Sequence, residues 1–107
     1  MSTVRVISAD KKKIKEFLKD YKEFLNKKNV SKAFLFGSWA KGNYSPHSDL
    51  DILIIIDSSP KKVRDRSPDF LPRRAPVGID VFVFTTEEAE RSPFVKNILK
   101  EAIPLIE

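Results

Sequence analysis

The chain has 107 residues, 41% hydrophobic and 33% charged, a balance that fits one compact soluble domain over residues 1–107 rather than two. It contains no Cys, which excludes disulfide scaffolds, zinc ribbons and thiol nucleophiles and suits a reducing, cytoplasmic setting. Twenty Lys and Arg against fifteen Asp and Glu give a net charge of +5, which favours an anionic partner, although solvated surface lysines produce the same balance.

From Asp10 to about Lys28, apolar Ile14, Phe17, Leu18, Tyr21, Phe24 and Leu25 recur at helical spacing against a lysine-rich opposite face, predicting an amphipathic helix with Asp10 as N-cap and Asn29 as its stop. Val30–Phe36 then reads as a strand ended by Gly37-Ser38, and a short polar segment from Trp39 to Ser48 follows. The run from Asp49 to Asp57 is apolar on both faces, as a central strand is. Ser58 to Val77 carries Pro60, Pro68, Pro72 and Pro76 with six basic residues and reads as an irregular, partly mobile crossover. Gly78 to Phe84 is a third strand with Asp80, Phe82 and Phe84 on one face. Thr85 and Glu88 have capping-box spacing, and Ser92-Pro93 suits the start of a further helix running to about Ala102. Pro104-Leu105-Ile106 suits a short edge strand. No stretch approaches the roughly 18 apolar residues of a membrane span, and MSTVRVISADKKK lacks a signal-peptide apolar core. The expectation is a chain neither membrane-spanning nor exported.

Asp49 and Asp51 stand two apart at a strand entry, so both carboxylates fall on one face. Like charges beside an apolar sheet call for a cation or for hydrogen-bond donors. A divalent metal and simple capping of backbone N–H groups are both open readings. Asp80 interrupts another apolar strand and reaches the same place if the two strands are neighbours, so three carboxylates would converge. Asp57 reads as a strand-ending turn residue. Gly37-Ser38, at the first strand's end, offers backbone N–H groups and a hydroxyl to phosphate oxygens, or is only a turn; Lys41 is suited to neutralising phosphate, or is only solvated. A P-loop is rejected because Asn43 and Tyr44 stand where Lys and Ser/Thr are required. An EF-hand is rejected because Ile52, Leu53 and Ile54 follow Asp51. His47, the single histidine, gives no support for a Ser-His-Asp system and reads as exposed and nonessential. Trp39 reads as a packing residue rather than a base-stacking platform.

Together, Gly37-Ser38, ten intervening residues and Asp49-Leu50-Asp51 resemble the signature of the nucleotidyltransferase superfamily that includes DNA polymerase beta. The string GSWAKGNYSPHSDLDILI is similar to the minimal nucleotidyltransferase group, and Asp80 in GIDVFVF matches the family's third carboxylate. Lys41 stands where Arg is frequent. The resemblance implies an α/β fold, a small mixed β-sheet flanked by helices, in which Asp49, Asp51 and Asp80 bind two magnesium ions (Mg2+) and Gly37, Ser38 and Lys41 serve the nucleotide phosphates. It implies transfer of a nucleoside monophosphate, AMP from ATP or its equivalent from another NTP, onto a hydroxyl. It also implies a small helical HEPN-domain partner, adenylylated on tyrosine, for which this chain is the antitoxin. The alternative is a binding module that inhibits such a partner by occlusion without turnover. Nucleic-acid binding through the lysine-rich helix and the Arg-containing crossover has no recognisable base-reading or aromatic ribonucleoprotein motif behind it.

Overall fold

The computed structural model describes residues 11–43, 45 and 48–107. Helix α1, Lys11–Asn26, buries Ile14, Tyr21 and Leu25, residues seven and four apart that share one stripe. The expected N-cap, Asp10, lies outside the described residues. The helix ends at Asn26, short of the expected Lys28; a turn over residues 27–29 follows, in which Asn29 takes a left-handed φ of 59°, a conformation that Asn tolerates better than most residues. Strand β1, Val30–Phe36, has the expected bounds. A single turn, α2 (Ser38–Lys41), follows and converts the first part of the expected polar segment into helix.

Strand β2, Leu50–Ile56, is buried at every position but Asp51. The reason is its place in the sheet, whose order is β3-β2-β1-β4: β2 is antiparallel to β1 and parallel to β3, Ile79–Thr85. Strand β4, Ile103–Ile106, lies antiparallel to β1 at the other edge, where Pro104 is tolerated. Helix α1 packs with Leu50, Ile52, Ile54, Ile56, Ala33, Leu35 and Val83 on one face. Leu53 and Ile55 face the other way, against Ala89 of α3, Thr86–Arg91, and Val95 of α4, Pro93–Leu99. Each fully buried Leu or Ile contributes about 1.5–3 kcal/mol relative to exposure, so β2 is the energetic centre of the molecule. The mixed sheet flanked by helices expected from the sequence is the fold observed.

The caps at α3 and α4 form as the sequence predicts. Thr85 Oγ1 accepts from Glu88 N at 3.2 Å while Thr85 N donates to Glu88 Oε1 at 2.9 Å, and Ser92 Oγ accepts from Val95 N at 3.2 Å. Helix α4 stops at Leu99 rather than near Ala102. Its last turn tightens through Lys100 N to Asn97 O and Glu101 N to Ile98 O, and Pro104 disfavours helical φ and ψ at Ile103.

The segment between β2 and β3 departs most from expectation. It contains 3-10 turns at Val63–Asp65 and Ser67–Phe70, with Arg66 only 4% exposed and Phe70 buried. The Arg66 guanidinium donates to Glu88 Oε1 at 2.5 Å and Oε2 at 3.1 Å, and its Nε donates to Lys61 O at 2.9 Å. Tyr21 Oη donates to Phe70 O at 2.6 Å, and burial pushes that phenol's pKa up. The crossover is therefore fastened to α3 on one face of the sheet and to α1 on the other.

Candidate active site

The approach to β2 is held by Trp39, a buried residue whose Nε1 donates to Ser48 O at 2.9 Å, so its role is packing and positioning. Leu50 N donates to Gly78 O at 2.9 Å, which sets the parallel register: Asp51 pairs with Asp80 and Leu50 with Ile79. Adjacent strands lie about 4.8 Å apart, and period-two alternation puts Asp49, Asp51 and Asp80 on one face. That face also carries Phe36, the Cα partner of Asp51 on β1. Asp51 is half-buried, whereas Asp49 and Asp80 are exposed.

Two glycines make room for the carboxylates. A Cβ on Gly37 would lie 3.1 Å from Asp51 Cγ and overlap its Oδ2; one on Gly78 would lie 2.9 Å from Asp49 Cγ. Gly37 has φ 78° and ψ −156°, a region in practice open only to glycine, so the requirement there is both conformational and steric. Gly78 was missed in reading the sequence. Its signal was its position two residues before Asp80, which makes it a neighbour of Asp49 once the strands pair.

Burial, then the Asp80 carboxylate and then Asp49, pushes the Asp51 carboxyl above its ordinary value. The ion pairs formed among the described residues engage none of the three aspartates. Among the described residues, no group of three or more His, Cys, Asp or Glu is placed so as to hold a metal ion. The donor chemistry nonetheless fits a hard divalent cation: carboxylate oxygens are what Mg2+ takes, with water and substrate phosphate completing its shell, and mutual repulsion at Asp51 is what a cation would relieve.

Of the remaining expected residues, Ser38 and Lys41 lie on α2, next to Gly37, whereas Asp57 lies at the opposite end of β2. Ser38 opens α2 directly after Gly37. Lys41 closes α2 and pairs with Glu101 at 3.7 Å, with side chains 49% and 67% exposed. Asp57 is a strand-end residue, accepting from Ser31 Oγ at 2.7 Å. His47 lies outside the described residues. No described helix is long and apolar enough to cross a membrane.

Residues 11–107 match the nucleotidyltransferase domain family. Two Methanocaldococcus jannaschii proteins, each provisionally named a protein adenylyltransferase, are similar to this chain: one is 45% identical over 47 residues, 44% of this chain, and the other 44% identical over 48 residues, 45% of it. The aligned stretches span 46% and 47% of those proteins, so the chain matches less than half the length of each. A Sulfolobus solfataricus crystal structure provisionally described as a nucleotidyltransferase aligns with a TM-score of 0.55 at 25% identity, covering 94% of this chain and 85% of that one. Because the family match takes in every helix and strand from α1 to β4, the chain belongs to the nucleotidyltransferase domain family.

Proposed function

We propose that the chain moves a nucleoside monophosphate, AMP from ATP, onto a hydroxyl of a protein acceptor. The observation that carries this reading is the in-register pairing of Asp51 with Asp80 on parallel strands, with Asp49 on the same face and the Gly37-Ser38 turn against Asp51. A pair of Mg2+ ions held by Asp49, Asp51 and Asp80 would supply charge neutralisation and in-line positioning. Gly37 and Ser38 receive phosphate oxygens, and Lys41 neutralises phosphate charge. The acceptor oxygen bonds to the α-phosphorus, the bond from phosphorus to the bridging oxygen breaks, pyrophosphate leaves, and the acceptor proton passes to a base. We assign that base to Asp80, whose exposure at an edge strand suits an incoming acceptor.

We read the acceptor as a tyrosine of a small helical HEPN-domain protein, with this chain as its antitoxin. Two considerations support a macromolecular acceptor: the related proteins named protein adenylyltransferases, and carboxylates that lie open to solvent where a partner can approach.

The test is co-expression with the product of the adjacent reading frame, followed by intact-mass measurement in ATP and Mg2+. A gain of about 329 Da per adenylyl group, lost in Asp49→Asn with Asp51→Asn, is expected. A tight complex with no mass change identifies an occluding binder instead, and the absence of both complex and mass change removes the acceptor assignment.

A further inference from the structure

The two edges of the sheet are finished differently. Strand β4 is four residues long and carries Pro104, and both features blunt an edge against further pairing. Strand β3 is seven residues long, and the donation from Leu50 N to Gly78 O sets the direction of its backbone groups. Alternation turns the N–H and C=O groups of Asp80, Phe82 and Phe84 towards β2 and those of Ile79, Val81 and Val83 outwards. The outward carbonyl of Val83 accepts from Arg66 Nη1 at 3.3 Å, so the crossover closes the edge there. Val83 and Thr85 are buried, whereas Ile79, Asp80, Val81 and Phe82 are half-buried or exposed. Among the described residues, no hydrogen bond engages the outward groups of Ile79 or Val81. The open stretch is therefore centred on Asp80, the one charged residue of the strand.

An unpaired stretch of edge accepts a strand from another chain through main-chain hydrogen bonds. In antiparallel pairing, Ile79 and Val81 would each exchange N–H···O=C bonds with the added strand. Asp80, between them, would face a non-hydrogen-bonded partner, with about 4.5 Å between the Cα atoms and both side chains on one face. That partner residue would project over the face that carries Asp49 and Asp51. Two positions earlier in the added strand, the next side chain on this face would lie opposite Phe82. Phe82 is 36% exposed and Phe94 46% exposed, with ring centroids 5.6 Å apart, so the surface waiting there is apolar.

We propose that the protein acceptor enters as an extended segment that pairs antiparallel with residues 79–81 of β3, setting its hydroxyl residue opposite Asp80 and an apolar residue, two positions earlier, against Phe82 and Phe94. The proposal rests on the nucleotidyl-transfer reading above and goes beyond it by fixing the conformation, direction and register of the acceptor. Main-chain pairing supplies the grip, and the two phenyl rings supply a sequence preference. Arg66 sets the limit of the added strand, because its guanidinium already occupies the Val83 carbonyl.

Transfer by the full chain to the product of the adjacent reading frame, followed by intact mass at varied acceptor concentration, tests it. The Val81 N–H faces away from β2, so Val81→Pro removes an edge donor while leaving the β2–β3 ladder intact, a placement that proline tolerates. Val81→Pro is expected to raise the KM for the acceptor about tenfold, with kcat and MgATP affinity within about twofold of the wild type, as the loss of about one backbone hydrogen bond implies. Val81→Ile keeps the donor and should match the wild type, and Phe82→Ala should raise the same KM several-fold. In the wild-type complex, the amides of Ile79 and Val81 should gain about tenfold in protection from hydrogen exchange. An unchanged KM in folded Val81→Pro, or transfer without protection at Ile79 and Val81, overturns the docking and leaves the transfer reading standing. If Val81→Pro does not fold, the exchange measurement on the wild type decides alone. Protection that is present in the free protein and rises with its concentration puts a second copy on the edge and overturns the docking too. No transfer by the wild type overturns the transfer reading and the docking together.

Discussion

The Asp51 carboxylate occupies the space that a side chain at Gly37 would need: a Cβ there would overlap Asp51 Oδ2. The turn that ends β1 and the acid that begins β2 are thus one steric unit. Gly37→Ala is expected to lose about 1–3 kcal/mol of stability from its backbone conformation and about 100-fold in transfer rate through displacement of the carboxylate. Gly42→Ala is the control. Gly42 also has a positive φ, 85°, but a Cβ there meets nothing within 4 Å, so it should lose about 1–2 kcal/mol and keep its activity. Thermal melts with a transfer assay separate the two; equal activity in both variants would refute the steric coupling.

Asp51→Asn should stabilise the metal-free protein while abolishing transfer. The charge it removes is one that burial, Asp80 and Asp49 all disfavour, and relief of such strain typically yields about 0.5–2 kcal/mol. In chelator at neutral pH the variant should melt higher than the wild type. Adding Mg2+ should raise the melting temperature of the wild type and narrow or reverse the gap. A variant that melts lower in chelator would show that the Asp51 carboxylate is satisfied without a cation.

The Arg66–Glu88 clamp makes stability sensitive to acid. The Arg66 hydrogen bond, followed by the Thr85 backbone N–H, lowers the Glu88 pKa from 4.5 to about 2. Because the folded value lies below the unfolded one, the contribution is fully present above about pH 4.5 and is lost as pH falls towards 2. Glu88→Gln should cost about 2 kcal/mol at pH 7 and flatten the stability profile over that window. An unchanged acid profile by circular dichroism would mean that the clamp contributes nothing.

Tyr21→Phe removes a 2.6 Å hydrogen bond to Phe70 O without changing the ring that stacks between Phe17 and Phe24. The expected loss is about 1–2 kcal/mol, read by urea denaturation, with activity per folded molecule preserved. A loss of activity at full stability would place the crossover in the reaction itself.

The strands and their order of appearance were legible because apolar runs here are bounded by Gly, Asp and Pro, and Thr85-Glu88 and Ser92-Pro93 announce helix starts through local chemistry. Asp49 and Asp51 could be paired on one face from alternation alone. Placing Asp80 beside them needed the β2–β3 register, which no local pattern encodes. Arg66 escaped notice for a related reason: within a basic, proline-rich stretch it resembles any solvated arginine, and its partner had already been assigned to capping Thr85. Glu88 does both, accepting from Thr85 N and from Arg66.

The parallel pairing of β2 with β3 has a kinetic consequence. The β1–β2 antiparallel pair closes over a shorter loop, whereas Asp51 and Asp80 meet only after the whole proline-rich crossover has been threaded and fastened, and contacts distant in sequence form slowly. Competence to bind a cation should therefore arise at the end of refolding, after most secondary structure has formed. Newly made chains would spend an interval compact but chemically inert, and the enzyme would acquire its reactivity in the final step of becoming folded.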